Sequence, residues 1–196
     1  MKTLLVTGFE PFPGMPVNPT SLLVERLPKR LPSVRDVEFR FALLPTTWSG
    51  RKEVTDALRS TLAPAAIVHL GVDGRRRTIN VETRAVNRAT RIRPDADGQH
   101  AETPFLDRTG PSQRQSTLPA RALQQAALRT GVPARLSVDA GDYLCNATLW
   151  DSIASGIPSI FIHVPSLPRG RFERRPSLQR VEAGVAAILI ETARRI

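Results

Sequence analysis

The stretch "ARLSVDAGDYLCNATLW", Ala134 to Trp150, carries the chain from a strand into a helix within a few residues. "ARLSVD" reads as a short β-strand, and the helix opens near Cys145. Between them the small pair Ala140–Gly141 leads through Asp142, Tyr143 and Leu144 to Cys145, the one cysteine of the chain. Bulky side chains at that pair would crowd whatever approaches the thiol, so an open turn is expected there.

The alternation continues on both sides. Upstream, "KTLLVT" reads as a strand. Asn18–Pro19, a capping residue followed by proline at the first helical position, opens a helix that runs to about Leu27. "VEFRFALL" alternates with period two and puts Val37, Phe39, Phe41 and Leu43 on one face. A helix over Thr46–Leu62, a buried strand in "AAIVHLGV" and a helix over Leu118–Arg129 follow. Downstream come the strand "SIFIHV" and an amphipathic helix from Ser177 to Arg195. Residues 73–117, rich in Arg, Asp, Gly and Pro, form the least regular part. Strands alternating with helices predict a layered α/β fold around a largely parallel sheet. Sites in such sheets form beyond the carboxyl ends of the strands. Gly8–Asn18, the region after Val72, His163 and the Cys145 turn are expected to converge there.

The 196 residues suit one domain spanning 1–196, with no internal repeat and no low-complexity linker. A hydrophobic fraction of 41% and a charged fraction of 23% are those of a soluble globular protein. No apolar run has the length of a membrane span, and no membrane partner is expected. "MKTLLVTGFE" breaks at Gly8 and Glu10, too soon for a signal peptide. A lone cysteine cannot form an internal disulfide, which agrees with a reducing, cytoplasmic setting.

The net charge of +10 is carried almost wholly by arginine, with lysine only at Lys2, Lys29 and Lys52. A basic nucleic-acid-binding domain would have such a footprint. The arginines are spread over most of the chain, however, and no helix-turn-helix, zinc-finger or RNA-binding signature accompanies them. The clusters "GRRR" (Gly74–Arg77) and "RGRFERR" (Arg169–Arg175) read as solvated basic surface, with no nucleic-acid partner. No paired Cys/His spacing supports a metal.

Cys145 is the best nucleophile candidate. A thiol at a helix N-terminus faces the positive end of the dipole and unpaired N–H groups, which also suit an oxyanion. A buried small hydrophobe is the alternative for a lone cysteine. Three histidines could act as base. His69 lies mid-strand and reads as a satisfied core histidine, and His100 lies in a polar loop. His163 ends an apolar strand, where an imidazole can project into a cleft. Glu82, in "INVETRAVN", could hold its tautomer or could pair with one of the many arginines. The loop "GFEPFPGMPVNP" lacks N–H donors at its prolines and the Lys-Ser/Thr ending of a phosphate cradle. It presents Phe9 and Phe12 as a stiff apolar wall instead.

Four segments together, "TGFEPFPGMPVNPT", "GRRRTINVETRAVN", "AGDYLCN" and "FIHVPSLP", resemble those of the pyroglutamyl peptidase I family, in the same order and at similar spacing. The resemblance extends from Thr7 to Pro168. It implies a three-layer α/β/α sandwich and a cofactor-free Cys-His-Glu triad, matched here by Cys145, His163 and Glu82. It further implies removal of N-terminal pyroglutamate from peptides through a thioester, and assembly into a dimer or tetramer. Family pocket positions fall on Phe9, Phe12, Asn18, Val72 and Tyr143. Departures from the pattern are specific. Val72 stands where many bacterial members have glutamine, and Asp142 where threonine is frequent. Ile92, flanked by Arg91 and Arg93, takes the place of an arginine. The stretch from Arg93 to Thr117 matches only loosely. A family member that binds peptides without turning them over is the competing expectation.

Overall fold

The computed structural model describes residues 1–168, 170 and 173–196. In chain order the strands are β1 (Lys2–Phe9), β2 (Val37–Leu44), β3 (Ala66–Asp73), β4 (Ile79–Glu82), β5 (Arg84–Val86), β6 (Gln113–Gln115), β7 (Ala134–Ser137) and β8 (Ser159–Pro165). The helices are α1 (Pro19–Arg26), α2 (Trp48–Leu62), α3 (Ala120–Leu128), α4 (Leu144–Ala154) and α5 (Leu178–Ala193), with a 3₁₀ turn over Leu27–Lys29. Six strands form one sheet in the order β2-β1-β3-β8-β4-β7, and β5 and β6 form a separate antiparallel ribbon.

The helix starts follow the local chemistry. Asn18 Oδ1 accepts from the Thr20 amide at 3.0 Å, with Pro19 at the first helical position. Thr47 caps α2 through Gly50, and Ser177 caps α5 through Arg180. Pro28 lies inside the 3₁₀ turn that follows α1, and the helix ends at Arg26, close to the expected Leu27.

Period-two alternation divides the sheet residues between two cores. Leu4 and Val6, Ala66, Val68 and Leu70, Ile79 and Val81, and Ile160, Ile162 and Val164 face α1, α3 and α5. Phe9, Leu44 and Phe161 face the other way, toward α2 and α4, where they meet Leu144, Leu149 and Trp150. The result is the α/β/α sandwich expected from the resemblance. Each fully buried Leu, Ile or Phe contributes about 1.5–3 kcal/mol.

One expectation needs correction. Residues 73–117 hold three strands, and one of them, β4, lies inside the main sheet. Four residues, "INVE", are too few for periodicity to reveal. β4 runs antiparallel to β8 and parallel to β7, so these two strands oppose the other four. The carboxyl end of β7 therefore points away from the end where β8 delivers His163. Residues 138–143 must turn back to bring Cys145 there. Gly141 makes part of that turn at φ +80°, and a Cβ on it would meet nothing within 4 Å. The positive φ gives this glycine a backbone reason of its own, and with Ala140 it also lines the cavity beside the thiol.

Beneath the sheet surface on the α2/α4 side, His69 is fully buried between two hydroxyls. Nδ1 lies 2.7 Å from Thr7 Oγ1 and Nε2 2.8 Å from Ser152 Oγ, which also accepts from Arg59 Nη1. This is the satisfied core histidine that the sequence predicts. Burial, then the nearby Arg59 and Arg51 cations, push its pKa from 6.5 down to about 3. A group depressed in the folded state favours folding fully above its unfolded pKa, and that contribution is lost as pH falls. Thermal melts should therefore show stability declining from pH 6.5 to 5, by up to about 1.4 kcal/mol per pH unit. In His69→Gln, which keeps hydrogen-bonding capacity without titrating, the decline over this window should be markedly shallower.

Candidate active site

Parity on the sheet decides which side chains meet. β8 exposes Ser159, Phe161 and His163 to the α2/α4 side, because Ile160, Ile162 and Val164 point to the opposite core. In the antiparallel pairing of β4 with β8, Asn80 lies opposite His163 and Glu82 opposite Phe161. Asn80 and Glu82 share the face of His163, and the Glu82 side chain reaches one step diagonally to it. His163 Nδ1 donates to Glu82 Oε1 at 2.9 Å, since a carboxylate only accepts. Glu82 is fully buried and His163 nearly so. Nε2 is left free of Glu82, and the Cys145 sulfur is near enough to His163 to favour its charged form. Burial by itself pushes the imidazole pKa down. The Cys145 sulfur and the Glu82 carboxylate outweigh burial and raise it from 6.5 to about 9.

Cys145 is the second residue of α4 and is partly exposed. Tyr143 at the N-cap makes no side-chain capping bond. The amides of Leu144, Cys145 and Asn146 belong to the first turn and have no intrahelical acceptor. They leave unpaired N–H donors at the positive end of the helix, where Cys145 sits. Asn146, fully buried, holds this end in place. Its side chain accepts from the Val86 amide at 2.8 Å and donates to the carbonyls of Val86 and Arg88. From below, Gly71 on β3, paired with His163, makes room for the thiol. A Cβ there would lie 3.0 Å from Cys145 Sγ and 2.5 Å from the Phe161 ring.

A cavity of about 600 Å³ opens over these groups, lined by Phe9, Phe12, Asn18, Val72, Tyr143, Cys145 and His163 among others. The four chain regions expected to converge do so. Glu82 stands behind His163, outside the lining. Asn18 donates from Nδ2 to the Glu10 carbonyl and accepts from Thr20, so its amide fixes the Phe9–Phe12 wall while capping α1. Phe12 closes a small turn by reciprocal backbone bonds with Met15. His100 lies elsewhere, on a second, shallow depression beside Trp48 and Phe105.

The structure also settles the displaced arginine. Ile92 is 91% exposed. Arg93 lines the cavity with its guanidinium 4.3 Å from the centre of the Tyr143 ring. The "GRRR" cluster is more than solvated surface, because Arg75 and Arg76 line the cavity as well. Arg76 donates to Asp73, Ser137 and the Asp139 carbonyl. Burial pushes Asp73 up, but the Arg75 amide and the two guanidinium groups hold it below the usual carboxylate range. In the second cluster, Arg169 and Arg171 lie outside the described residues, while Arg175 donates to the carbonyls of Gly74 and Arg76. Asn146, Gly71 and Arg76 were not identified from sequence as site residues. A buried Asn beside the thiol and a glycine after "VHL" were the available signals. Among the described residues, no group of three or more His, Cys, Asp or Glu could hold a metal ion.

Gly71→Ala should force apart the packing under the thiol, at a cost of about 1–3 kcal/mol. Melting should report that loss, and alkylation of Cys145 by iodoacetamide should change in rate. Wild-type values for both would show that the space under the thiol is not limiting.

Comparison with known proteins gives the same picture across the whole chain. The family model for pyroglutamyl peptidase matches residues 2–195. A pyrrolidone-carboxylate peptidase of Pyrococcus furiosus is 32% identical over 205 residues, covering 97% of each chain. One from Escherichia fergusonii is 32% identical, covering 98% of this chain and 91% of its own. The crystal structure of Bacillus amyloliquefaciens pyroglutamyl peptidase I superposes with a TM-score of 0.88 at 26% identity, covering 99% of this chain and 98% of that one. The pyrrolidone carboxyl peptidase of Thermococcus litoralis superposes with a TM-score of 0.87 at 26% identity, covering 98% and 93%. With its lone thiol at a helix start, facing a histidine backed by a buried glutamate, the chain belongs to the pyroglutamyl peptidase family of cysteine peptidases.

Proposed function

We propose that this protein removes an N-terminal pyroglutamyl residue from peptides by acyl transfer through Cys145, His163 and Glu82. The observation that carries this reading is the alignment of the Cys145 sulfur, His163 and Glu82 Oε1 at a cavity to which Phe9 and Phe12 give one apolar wall. The sulfur attacks the pyroglutamyl carbonyl carbon, and the carbonyl electron pair moves onto oxygen, facing the first-turn amides of α4. As the tetrahedral species collapses, the C–N bond breaks and His163 gives its proton to the leaving amine. The thioester that remains is attacked by water, whose proton passes to His163, and pyroglutamate leaves as the thiol re-forms. Glu82 keeps the imidazole turned with Nε2 toward the sulfur and stabilises its charged form.

Phe9, Phe12 and Tyr143 supply faces for the flat lactam ring. Val72 adds an apolar contact where a glutamine would add a polar one, so the ring edge pairs with backbone groups. Assembly into a dimer or tetramer belongs to the same reading and is checked by light scattering on the purified protein.

Cys145→Ala should abolish hydrolysis of a fluorogenic pyroglutamyl amide while leaving the fold intact. His163→Ala should lose most of the activity, and His100→Ala should keep it. Glu82→Gln should fall between these, because orientation and charge are lost while the imidazole stays. Substantial turnover by folded Cys145→Ala would falsify the nucleophile assignment.

The cavity should also select for the lactam over an ordinary N-terminus. Glu10 is exposed and not part of the lining; of the three aspartates that line it, Asp73 is engaged by Arg75 and Arg76, Asp139 accepts from the Gly141 amide, and Asp142 lies on the turn before Cys145. An ammonium placed against Phe9 and Phe12 would give up hydration for apolar surface and meet the lining cations Arg75, Arg76 and Arg93, a cost of several kcal/mol. Matched pyroglutamyl and glutaminyl amides should then differ about a thousandfold or more in kcat/KM. Similar values would sink the pocket assignment even with Cys145 as nucleophile.

A further inference from the structure

Arg76 is held from three directions. Its Nε donates to Asp73 Oδ2 at 2.9 Å, Nη1 to Ser137 Oγ at 3.1 Å and Nη2 to the Asp139 carbonyl at 2.7 Å. Asn80, with its amide oxygen turned toward Nη1 by donor–acceptor matching, closes the fourth side. This frame sets Nη2 at 3.6 Å from Glu82 Oε1, the oxygen that also receives His163 Nδ1. The other oxygen, Oε2, is buried without a hydrogen-bond partner among the described residues. Two cations therefore converge on one oxygen of a fully buried carboxylate.

We infer that Arg76 is a positioning residue for the acid–base step, sharing Glu82 Oε1 with His163 and so limiting how tightly the carboxylate holds the imidazolium. The inference rests on the triad reading given above. In that reaction His163 must surrender its proton to the leaving amine, and an imidazolium held by an undivided buried carboxylate is a poorer acid. The groups that face His163 are Cys145 from α4 and Glu82 from β4, with Arg76 and Asp73 beyond Glu82 from the end of β3 and the segment after it. Cys145 and Glu82 favour the imidazolium, and Arg76 opposes it. His69, the other histidine on this face, is uncharged near neutral pH.

The test is the titration of the His163 imidazole by NMR, followed in wild type, Arg76→Gln and Asp73→Asn, with kcat and KM measured alongside. Arg76→Gln leaves the carboxylate to His163 alone. The titration midpoint and the alkaline limb of kcat/KM should move up by about half a pH unit or more. kcat should fall roughly tenfold, with KM changed far less. Asp73→Asn removes the carboxylate that offsets the Arg76 charge, so the pull of Arg76 on Glu82 should grow and the midpoint should move down. In folded Arg76→Gln, a midpoint that stays or falls overturns the inference, as does an unchanged kcat. If Arg76→Gln does not fold, Asp73→Asn decides, and an unmoved or raised midpoint there overturns it. The titration reads His163 whether or not it is catalytic. Full activity in His163→Ala would defeat the triad reading and leave the measured coupling to Arg76 intact.

Discussion

Glu82 and His163 meet across the seam where β4 runs against β8, and the rest of the site is arranged around that register. With Asn80 opposite His163, the carboxylate two residues later falls on the same face and within reach of Nδ1. A slip of one residue would turn Glu82 into the core that Ile79 and Val81 share with α3 and α5, and leave an apolar side chain behind His163. The burial of Ile162 and Val164 on the far side pins His163 on the near side in the same way. Gly71, alongside His163 on β3, then provides the space into which α4 lowers its thiol.

The charges follow from this geometry. Glu82 is fully buried, and an ionised carboxylate there is tolerated only with partners. His163 supplies one and Arg76 another, and Asp73 in turn braces Arg76. Elsewhere the arginines do comparable structural work. Arg51 pairs with Asp151 between α2 and α4, and Arg26 and Arg30 converge on buried Glu182 of α5. Part of the basic excess is therefore used to tie helices together and to organise the cavity.

The aromatic wall shows how one residue can serve two ends. Asn18 caps α1 with its oxygen and fastens the Glu10 carbonyl with its nitrogen. The loop that offers Phe9 and Phe12 is thus fixed by the start of the helix after it. Prolines in the same loop remove N–H groups that would otherwise need partners. Stiffness and apolar lining come from the same few residues.

Local chemistry was enough to place most elements. Asn18–Pro19 marks a helix start because capping and a fixed φ act within one turn, and "AAIVHLGV" and "SIFIHV" announce buried strands by composition alone. The four quoted segments likewise brought Cys145, His163 and Glu82 together, because motif residues are carried in short contiguous runs. β4 was not legible, since four residues carry no period, and neither was its direction, which depends on pairing with β8 and β7. Gly141 was read for its size, and the positive φ it also supplies was not legible. Arg76 looked like solvated surface because its partners, Asp139 and Ser137, lie more than sixty residues away in sequence. Sequence by itself determined most of the elements, through forces that act over a few residues, and singled out Cys145, His163 and Glu82 as the candidate reactive groups. The tertiary structure decided which arginine stands at Glu82, which of Arg91 and Arg93 enters the cavity, and why Gly71 has no side chain, because those depend on contacts between segments far apart along the chain.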